Sequence, residues 1–252
     1  MKSDLSIVLL DQTESTNALA LEAIDDGEPE GRVFVADHQT AGRGRRESGG
    51  ERRRWFSPAG QNLYLSVVVR PDVAVERAAA LTIAVGVELV ALLREETEVE
   101  VTLKWPNDLY VGDRKLGGIL TEAVTDSSGL RGAAVGLGLN INNEAKDFPS
   151  ELREIATSLR AVSGRRFDRL SLALSIPAAI VDASDRYSVE GLEPFVERIG
   201  SWDYLQGRRV SVVDNRRERS AVADGIGADG GLIVEFDDGS RREIVAGEVA
   251  VK

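Results

Sequence analysis

At every second position from Ala133 to Ile141 the chain is apolar, with Ala133, Val135, Leu137, Leu139 and Ile141 in step. The positions around and between them are Gly132, Ala134, Gly136, Gly138, Asn140 and Asn142. A period of two predicts a strand with one core face and one almost bare face. That bare face suits either close packing of a helix or the floor of a ligand pocket with the Asn140 amide beside it. Further β-prone runs predict strands at Leu5–Leu10, Arg32–Asp37, Asn62–Arg70 and Val99–Leu103. Ser15, Thr16 and Asn17 supply cap residues for a short helix ending near Gly27. Val75–Glu96, rich in Ala, Leu and Val, predicts the longest helix, packed on one face of the sheet. Asp168–Ser201 reads as mostly helical with an interruption at Pro177. From Gln206 the pattern changes to short strands separated by Asp229-Gly230 and Asp238-Gly239 turns, which predicts a small β-barrel. The expected organisation is an α/β (α+β) body over residues 1–204, a mixed sheet packed with helices, and a β domain over residues 205–252.

Between these elements lies KWPNDLYVGDRKLGGILTEA, Lys104–Ala123. Gly112-Asp113 is a two-residue hairpin signal, so Val111 should face Arg114 and Tyr110 should face Lys115. Asp108 then shares a face with Tyr110, and its carboxylate lies diagonal to Lys115. An exposed cross-strand pair and an acid and base lining a site both satisfy this pattern. Two of only five lysines fall in this stretch, and Gly117-Gly118 clears side chains where a ligand could approach the backbone.

Composition narrows the chemistry. The chain has 252 residues, a formal charge of −11 and no cysteine. Thiolate metal sites, disulfides and a cysteine nucleophile are therefore excluded, and a reducing, cytoplasmic setting is expected. No stretch approaches the apolar length of a membrane span. The acidic surplus, with five lysines against 26 arginines, points to a high-salt proteome and away from a general nucleic-acid binder.

Against that acidity, AGRGRRESGGERRRW (Ala41–Trp55) packs six arginines and four glycines, with only Glu47 and Glu51 opposing them. Such a run is either a solvated loop answering acids elsewhere or an anion site, with phosphate the first candidate ligand. It sits between two predicted strands, a place where sites are often built. The chain lacks GxxxxGK[ST], and Glu47 breaks GxGxxG after Gly42 and Gly44, so the loop is neither a Walker nor a Rossmann site.

Six segments occur in a familiar order: STN at Ser15–Asn17, HQTAGRGR at His38–Arg45, WFSPAGQNLYLS at Trp55–Ser66, KWPNDLY at Lys104–Tyr110, RKLGGILTE at Arg114–Glu122 and GLGLNIN at Gly136–Asn142. Together they resemble the biotin protein ligases, and the β tail fits that family's small SH3-like C-terminal domain. The resemblance implies an ATP-dependent ligase acting with Mg2+. Biotin's carboxylate attacks the α-phosphate of ATP to form biotinyl-5′-AMP, and a lysine of a biotin carboxyl carrier domain then takes the biotinyl group. It further implies that Ser15, Thr16, Asn17 and Gln39 hydrogen-bond the biotin ring, with Gly118 beside it. Gly42, Arg43, Gly44 and Arg45 form the loop over biotin and the phosphates. Lys115, with Asp108 beside it and Lys104 and Asn107 nearby, stabilises charge between the carboxylate and the α-phosphate. Trp55 and Asn140 face the adenine. No metal ligand is assigned.

Two departures from the pattern matter. Nine residues, Arg46–Arg54, separate GRGR from Trp55, more than is usual in the family. This leaves the choice among Arg52, Arg53 and Arg54 as phosphate contact to counting back from Trp55, which selects Arg53. The first strand begins at Leu5 with no preceding winged helix, which implies a ligase that does not bind DNA. The resemblance also leaves a homodimer formed through sheet edges open. Lipoate protein ligase, with the same fold and adenylate chemistry, is the alternative enzyme, although KWPND and RKLGGIL favour biotin. The absence of cysteine excludes the thioester-forming octanoyltransferases. A non-enzymatic nucleic-acid contact at the arginine loop is the remaining rival, disfavoured by a single basic loop without an aromatic platform.

Overall fold

All seven residues of Leu63–Val69 are buried, because this strand lies inside a sheet covered on both faces. The computed structural model describes residues 4–46, 52–214, 217–245, 247 and 249–251. In chain order the first elements are β1 (Ser6–Thr13), α1 (Thr16–Asp25), β2 (Arg32–Gln39), β3 (Arg43–Arg46), β4 (Arg52–Arg54), β5 (Leu63–Val69) and α2 (Leu81–Thr97). Then come β6 (Val101–Lys104), β7 (Asp108–Val111), β8 (Arg114–Asp126), β9 (Gly129–Leu139), α3 (Leu159–Ser163), α4 (Arg169–Glu190) and α5 (Glu193–Ile199). The chain closes with β10 (Arg209–Asp214), β11 (Arg217–Ile226), β12 (Leu232–Phe236), β13 (Arg241–Ile244) and β14 (Ala250–Val251).

The main sheet has the order β1-β2-β5-β9-β8-β7-β6. β1 and β2 pair parallel across α1, and the remaining neighbours are antiparallel, so the sheet is mixed as expected. Alternation along β5 and β9 divides the interior in two. Leu63, Leu65, Val67 and Val69, with Ala133, Val135, Leu137 and Leu139, meet Leu81, Leu89 and Leu93 of α2 and Ile176 and Ile180 of α4. Each fully buried leucine there contributes about 1.5–3 kcal/mol of burial free energy. The opposite face carries α1, whose Ala20, Ala23 and Ile24 pack on Val68 and Ala134. Further along that same face lie Ser66, Gly136 and Gly138, met by Thr16 and Asn17 at the start of α1 and by Trp55 rather than by the body of the helix.

Local structure departs from the sequence reading in four places. The run expected as one helix from Val75 begins as a 3-10 turn (Val75–Ala80) and becomes α-helical only at Leu81. Pro177 does not interrupt α4, which continues through it for 22 residues. The missing N–H costs one helical hydrogen bond, and burial of Pro177, Ile176 and Ile180 compensates. Ser15 occupies the N-cap of α1, but its side chain makes no capping bond. The Thr16 N–H goes instead to Gln39 Oε1 at 2.9 Å. Finally, the arginine run is a ribbon rather than a loop, with Arg43 opposite Arg54 and Arg46 opposite Arg52.

The C-terminal strands form a five-stranded antiparallel sheet, in the order β13-β12-β11-β10-β14. Its inner residues Val210, Val212, Val234 and Phe236 continue the main hydrophobic core. The two sheets meet at β6. Asp203 bridges to Leu103, Tyr204 N–H donates to Leu103 O at 2.9 Å, and Trp105 Nε1 donates to Gly230 O at 2.9 Å. At this junction Asp203 is buried, its Oδ1 accepts the Leu205 N–H, and its Oδ2 has no hydrogen-bond partner. Burial pushes its carboxyl above the ordinary range, only partly opposed by backbone N–H donors. The native state therefore holds this proton more tightly than the unfolded chain, and stability falls as pH rises from the unfolded pKa through the raised one. Asp203→Asn is expected to remove that loss. Its melting temperature relative to wild type should rise as pH increases from the ordinary carboxylate range upward, and a constant difference would contradict the assignment.

Candidate active site

At the N-terminus of α1 a cavity of about 550 Å³ opens on the sheet. Its floor is a polar network built on small residues. Gln39 Oε1 accepts from Thr16 N at 2.9 Å and from Thr16 Oγ1 at 3.2 Å. Ser66 Oγ lies 2.9 Å from Thr16 Oγ1 and 2.8 Å from Asn17 Oδ1. Asn17 Nδ2 donates to Glu122 Oε2 at 2.8 Å and to Leu120 O at 3.3 Å. A carboxylate and a carbonyl only accept, so they dictate which way the Asn17 amide faces. Gly136 permits this arrangement, since a Cβ there would stand 2.4 Å from Asn17 Oδ1.

One wall is the β7–β8 hairpin. Tyr110 pairs with Lys115 and Val111 with Arg114, as the turn predicts, but a bulge follows and aligns Asp108 with Gly118. The bulge brings Lys115 Nζ to 2.7 Å from Asp108 Oδ1, both side chains being only partly exposed. The pair lines the cavity and is partly shielded from solvent. Lys115 Nζ also lies 5.4 Å from the centre of the Trp55 ring. The Lys115 backbone is tied at both ends, its N–H donating to Ile155 O at 2.8 Å and its O accepting from Thr157 N at 2.9 Å.

Opposite stands the arginine ribbon. Arg43, Gly44, Arg45 and Arg54 line the cavity with Trp55 and Phe56. Arg45 Nη1 donates to Asn107 Oδ1 at 3.3 Å, linking the ribbon to the KWPND turn. Arg54 Nη2 donates to Thr40 O at 3.3 Å. Gly42 lies behind the lining, where a Cβ would meet Ser57 Oγ at 2.8 Å. Trp55 packs on Gly138, whose bare face lets the indole approach the sheet. The loop after Trp55 is fastened by His38, whose Nδ1 is 2.6 Å from Ser57 O, and by Tyr64, whose OH donates to Pro58 O at 3.0 Å. Burial raises the Tyr64 phenol pKa far enough to keep it a donor.

The structure thus gathers Ser15, Thr16, Asn17, Gln39, Arg43, Gly44, Arg45, Trp55, Lys104, Asn107, Asp108, Lys115, Gly118 and Asn140 around one cavity. The Arg53 side chain falls outside the described residues, as do Glu47 and Glu51. Asn140 is in the lining, yet its amide is committed elsewhere. Nδ2 donates to Thr157 O at 3.0 Å, and Oδ1 accepts from Asn62 at 3.4 Å. The side chain orients the 155–157 segment. Sequence reading missed Ser66 and the apolar wall of Phe148, Leu152 and Ile155 in the lining, and Glu122, which accepts from Asn17 behind it. Glu122 and Ser66 lie within recognised segments, but nothing in their spacing shows that they meet Asn17. The apolar wall carries no motif at all. Among the described residues, no group of three or more His, Asp or Glu side chains converges as a metal site.

Two sequence profiles account for most of the chain. Residues 9–140 match that of the biotin/lipoate A/B protein ligase family, and residues 206–252 match the biotin protein ligase C terminal domain. The chain belongs to the biotin protein ligases. It is 31% identical over 236 residues to the bifunctional ligase/repressor BirA of Bacillus subtilis, covering 94% of this chain and 71% of that protein. With the Escherichia coli protein of the same name it shares 32% over 247 residues, 98% of this chain and 74% of the other. Among solved structures, the biotin protein ligase of Aquifex aeolicus in complex with biotin and ATP superposes with a TM-score of 0.79. That pair is 26% identical and covers 98% of each chain. This ligase is therefore an enzyme whose relatives act on biotin, and the lipoate alternative is not favoured.

Proposed function

We propose that this ligase joins biotin to ATP as biotinyl-5′-AMP and then transfers the biotinyl group to a lysine of a biotin carboxyl carrier domain. The observation that carries this reading is the placing of the Lys115–Asp108 pair across one cavity from the Thr16–Asn17–Gln39 network. A carboxylate oxygen of biotin attacks the α-phosphorus, the bond to the bridging oxygen breaks, and pyrophosphate leaves. The carrier amine then attacks the acyl carbon, loses a proton, and displaces AMP. Neither step needs a covalent enzyme intermediate, so the protein's task is to position reactants and stabilise developing charge.

The floor network suits the ureido end of biotin, offering hydroxyls and amides held in fixed orientations. Lys115 places an ammonium where the carboxylate and α-phosphate meet, and Asp108 keeps it there until anions arrive. Arg43, Arg45 and Arg54 present guanidinium groups to the polyphosphate; Arg53 is a further candidate. Trp55 offers an aromatic face for the adenine, and Asn140 shapes that end through Thr157. The converging acids of a built-in magnesium cage are lacking among the described residues. Magnesium here fits a role bound to ATP's own phosphates, where it neutralises charge on the leaving group. We further propose a cytoplasmic enzyme with its catalytic domain at 1–204 and its accessory domain at 205–252. Among the described residues, no helix is long and apolar enough to cross a membrane.

Exchange of labelled pyrophosphate into ATP, run from low to molar salt, tests the first step. Exchange is expected with biotin and not with lipoate, and dependence on salt would reveal whether the acidic surface requires it. Exchange with lipoate alone would replace the substrate, and none with either would end the adenylation reading.

A further inference from the structure

Glu122, in β8 opposite Ala134, does not line the cavity, yet its Oε2 accepts at 2.8 Å from Nδ2 of Asn17, which does. The second Nδ2 proton is directed to Leu120 O at 3.3 Å. Glu122 has a further contact besides this one, and a carboxylate oxygen accepts whatever else it meets. With both amide protons held from behind, Asn17 turns Oδ1 to the floor, over Gly136 and 2.8 Å from Ser66 Oγ. An amide oxygen only accepts, so the single Ser66 proton goes to it. Ser66 can then only accept from Thr16 Oγ1, 2.9 Å away. Thr16 likewise has one hydroxyl proton, shared between Ser66 Oγ and Gln39 Oε1. Asn17, Ser66 and Thr16 are all buried, so these bonds are made within the network rather than to bulk water.

We propose that Glu122 is a specificity-determining positioning residue of this ligase. By fixing the Asn17 amide it sets the polarity of the floor, so that Asn17, Ser66 and Thr16 have lone pairs but no spare proton for a ligand. Such a floor takes a ring that brings N–H groups and gives no hydrogen bond to one that brings none. The cyclic urea of biotin carries two N–H groups, whereas the dithiolane of lipoate carries none, so the direction of the hydrogen bonds itself separates the two. Gln39 is set the other way. Its Oε1 is taken by Thr16, while Nε2, 3.5 Å from Ser57 Oγ, keeps a second N–H for a ligand carbonyl. Without Glu122, only the longer bond to Leu120 O opposes a half-turn of the Asn17 amide, which would make Ser66 an acceptor and reverse the chain. The inference rests on the biotin reading above and names the group that enforces the choice of ring.

The test measures the binding of biotin, desthiobiotin and ATP by calorimetry in the full chain. Glu122→Leu is expected to weaken biotin binding roughly tenfold while ATP affinity stays within about twofold. Desthiobiotin, which keeps the urea but lacks the thiolane ring, should lose the same factor. Glu122→Gln retains an acceptor for Asn17 and should hold biotin affinity within about threefold of wild type. Glu122→Leu combined with Asn17→Ala should be no weaker for biotin than Asn17→Ala alone, because both act through one amide. Wild-type biotin affinity in a folded Glu122→Leu protein would overturn the proposal. So would losses that multiply in the double variant, ATP affinity falling with that for biotin, or desthiobiotin binding left intact. A Glu122→Gln protein that binds biotin as weakly as Asn17→Ala does would overturn it even where the leucine variant does not fold. Wild-type protein that binds no biotin would overturn the biotin reading itself, a result distinct from any of these.

Discussion

Lys115→Ala is expected to lower biotin-dependent pyrophosphate exchange by roughly two to three orders of magnitude, the usual loss when a preorganised donor to a developing oxyanion is removed. The reason is local. Lys115 supplies positive charge on the cavity wall, and its removal leaves Asp108 without that partner where the proposed mechanism brings a carboxylate and a triphosphate. The variant therefore loses an attraction and gains a repulsion. Biotin binding should suffer less than the rate, because the Thr16–Asn17–Gln39 floor remains intact. Lys115→Arg should recover little, since a planar fork cannot occupy the compact position between Asp108 and the Trp55 ring. Exchange rates and calorimetric biotin affinities measured on the same preparations decide the matter. Exchange that survives in Lys115→Ala would remove this lysine from the chemistry.

Gly136→Ala carries the second large effect, on binding. The added methyl would lie 2.4 Å from Asn17 Oδ1, 3.0 Å from Asn17 Cγ and 3.3 Å from Ser66 Oγ. Asn17 cannot retreat without breaking its bonds to Glu122 and Leu120, so the floor must distort. Strain from one extra core methyl costs about 1–3 kcal/mol, and a comparable weakening of biotin binding corresponds to roughly tenfold to hundredfold. Because the damage runs through Asn17, Gly136→Ala should add little to Asn17→Ala in the double variant. Biotin calorimetry on all three proteins, with melts to check folding, measures this. Undiminished biotin binding by Gly136→Ala would contradict the proposed role of the floor.

Both predictions concern residues whose type was legible before their surroundings were. Lys115 stood out through its lysine-poor background and the Gly112-Asp113 turn, which correctly gave the Tyr110 and Lys115 pairing. The distance to Asp108 was not legible, because it depends on the bulge after Leu109. Gly136 was visible as part of a bare strand face, along which helix packing and a cavity floor both occur. α1 packs at Ala134, while Asn17 and Trp55 occupy the space over Gly136 and Gly138 at the cavity. Asn140 shows the converse: a polar residue at the end of a bare face invites a ligand contact, yet its amide is used to anchor Thr157.

The sequence by itself determined the strand pattern, the first two pairs of the hairpin, the family and the identity of the charged groups, because all of these follow from local periodicity and ordered motifs. Only the tertiary structure decided that Glu122 accepts from Asn17 and that Phe148, Leu152 and Ile155 wall the cavity. It also decided that α4 runs through Pro177 and that the arginine run folds as a ribbon. The physical reason is separation along the chain. Contacts such as Asn17 with Glu122 join residues about a hundred positions apart, and their geometry is set by how sheets and helices pack rather than by any neighbouring residue.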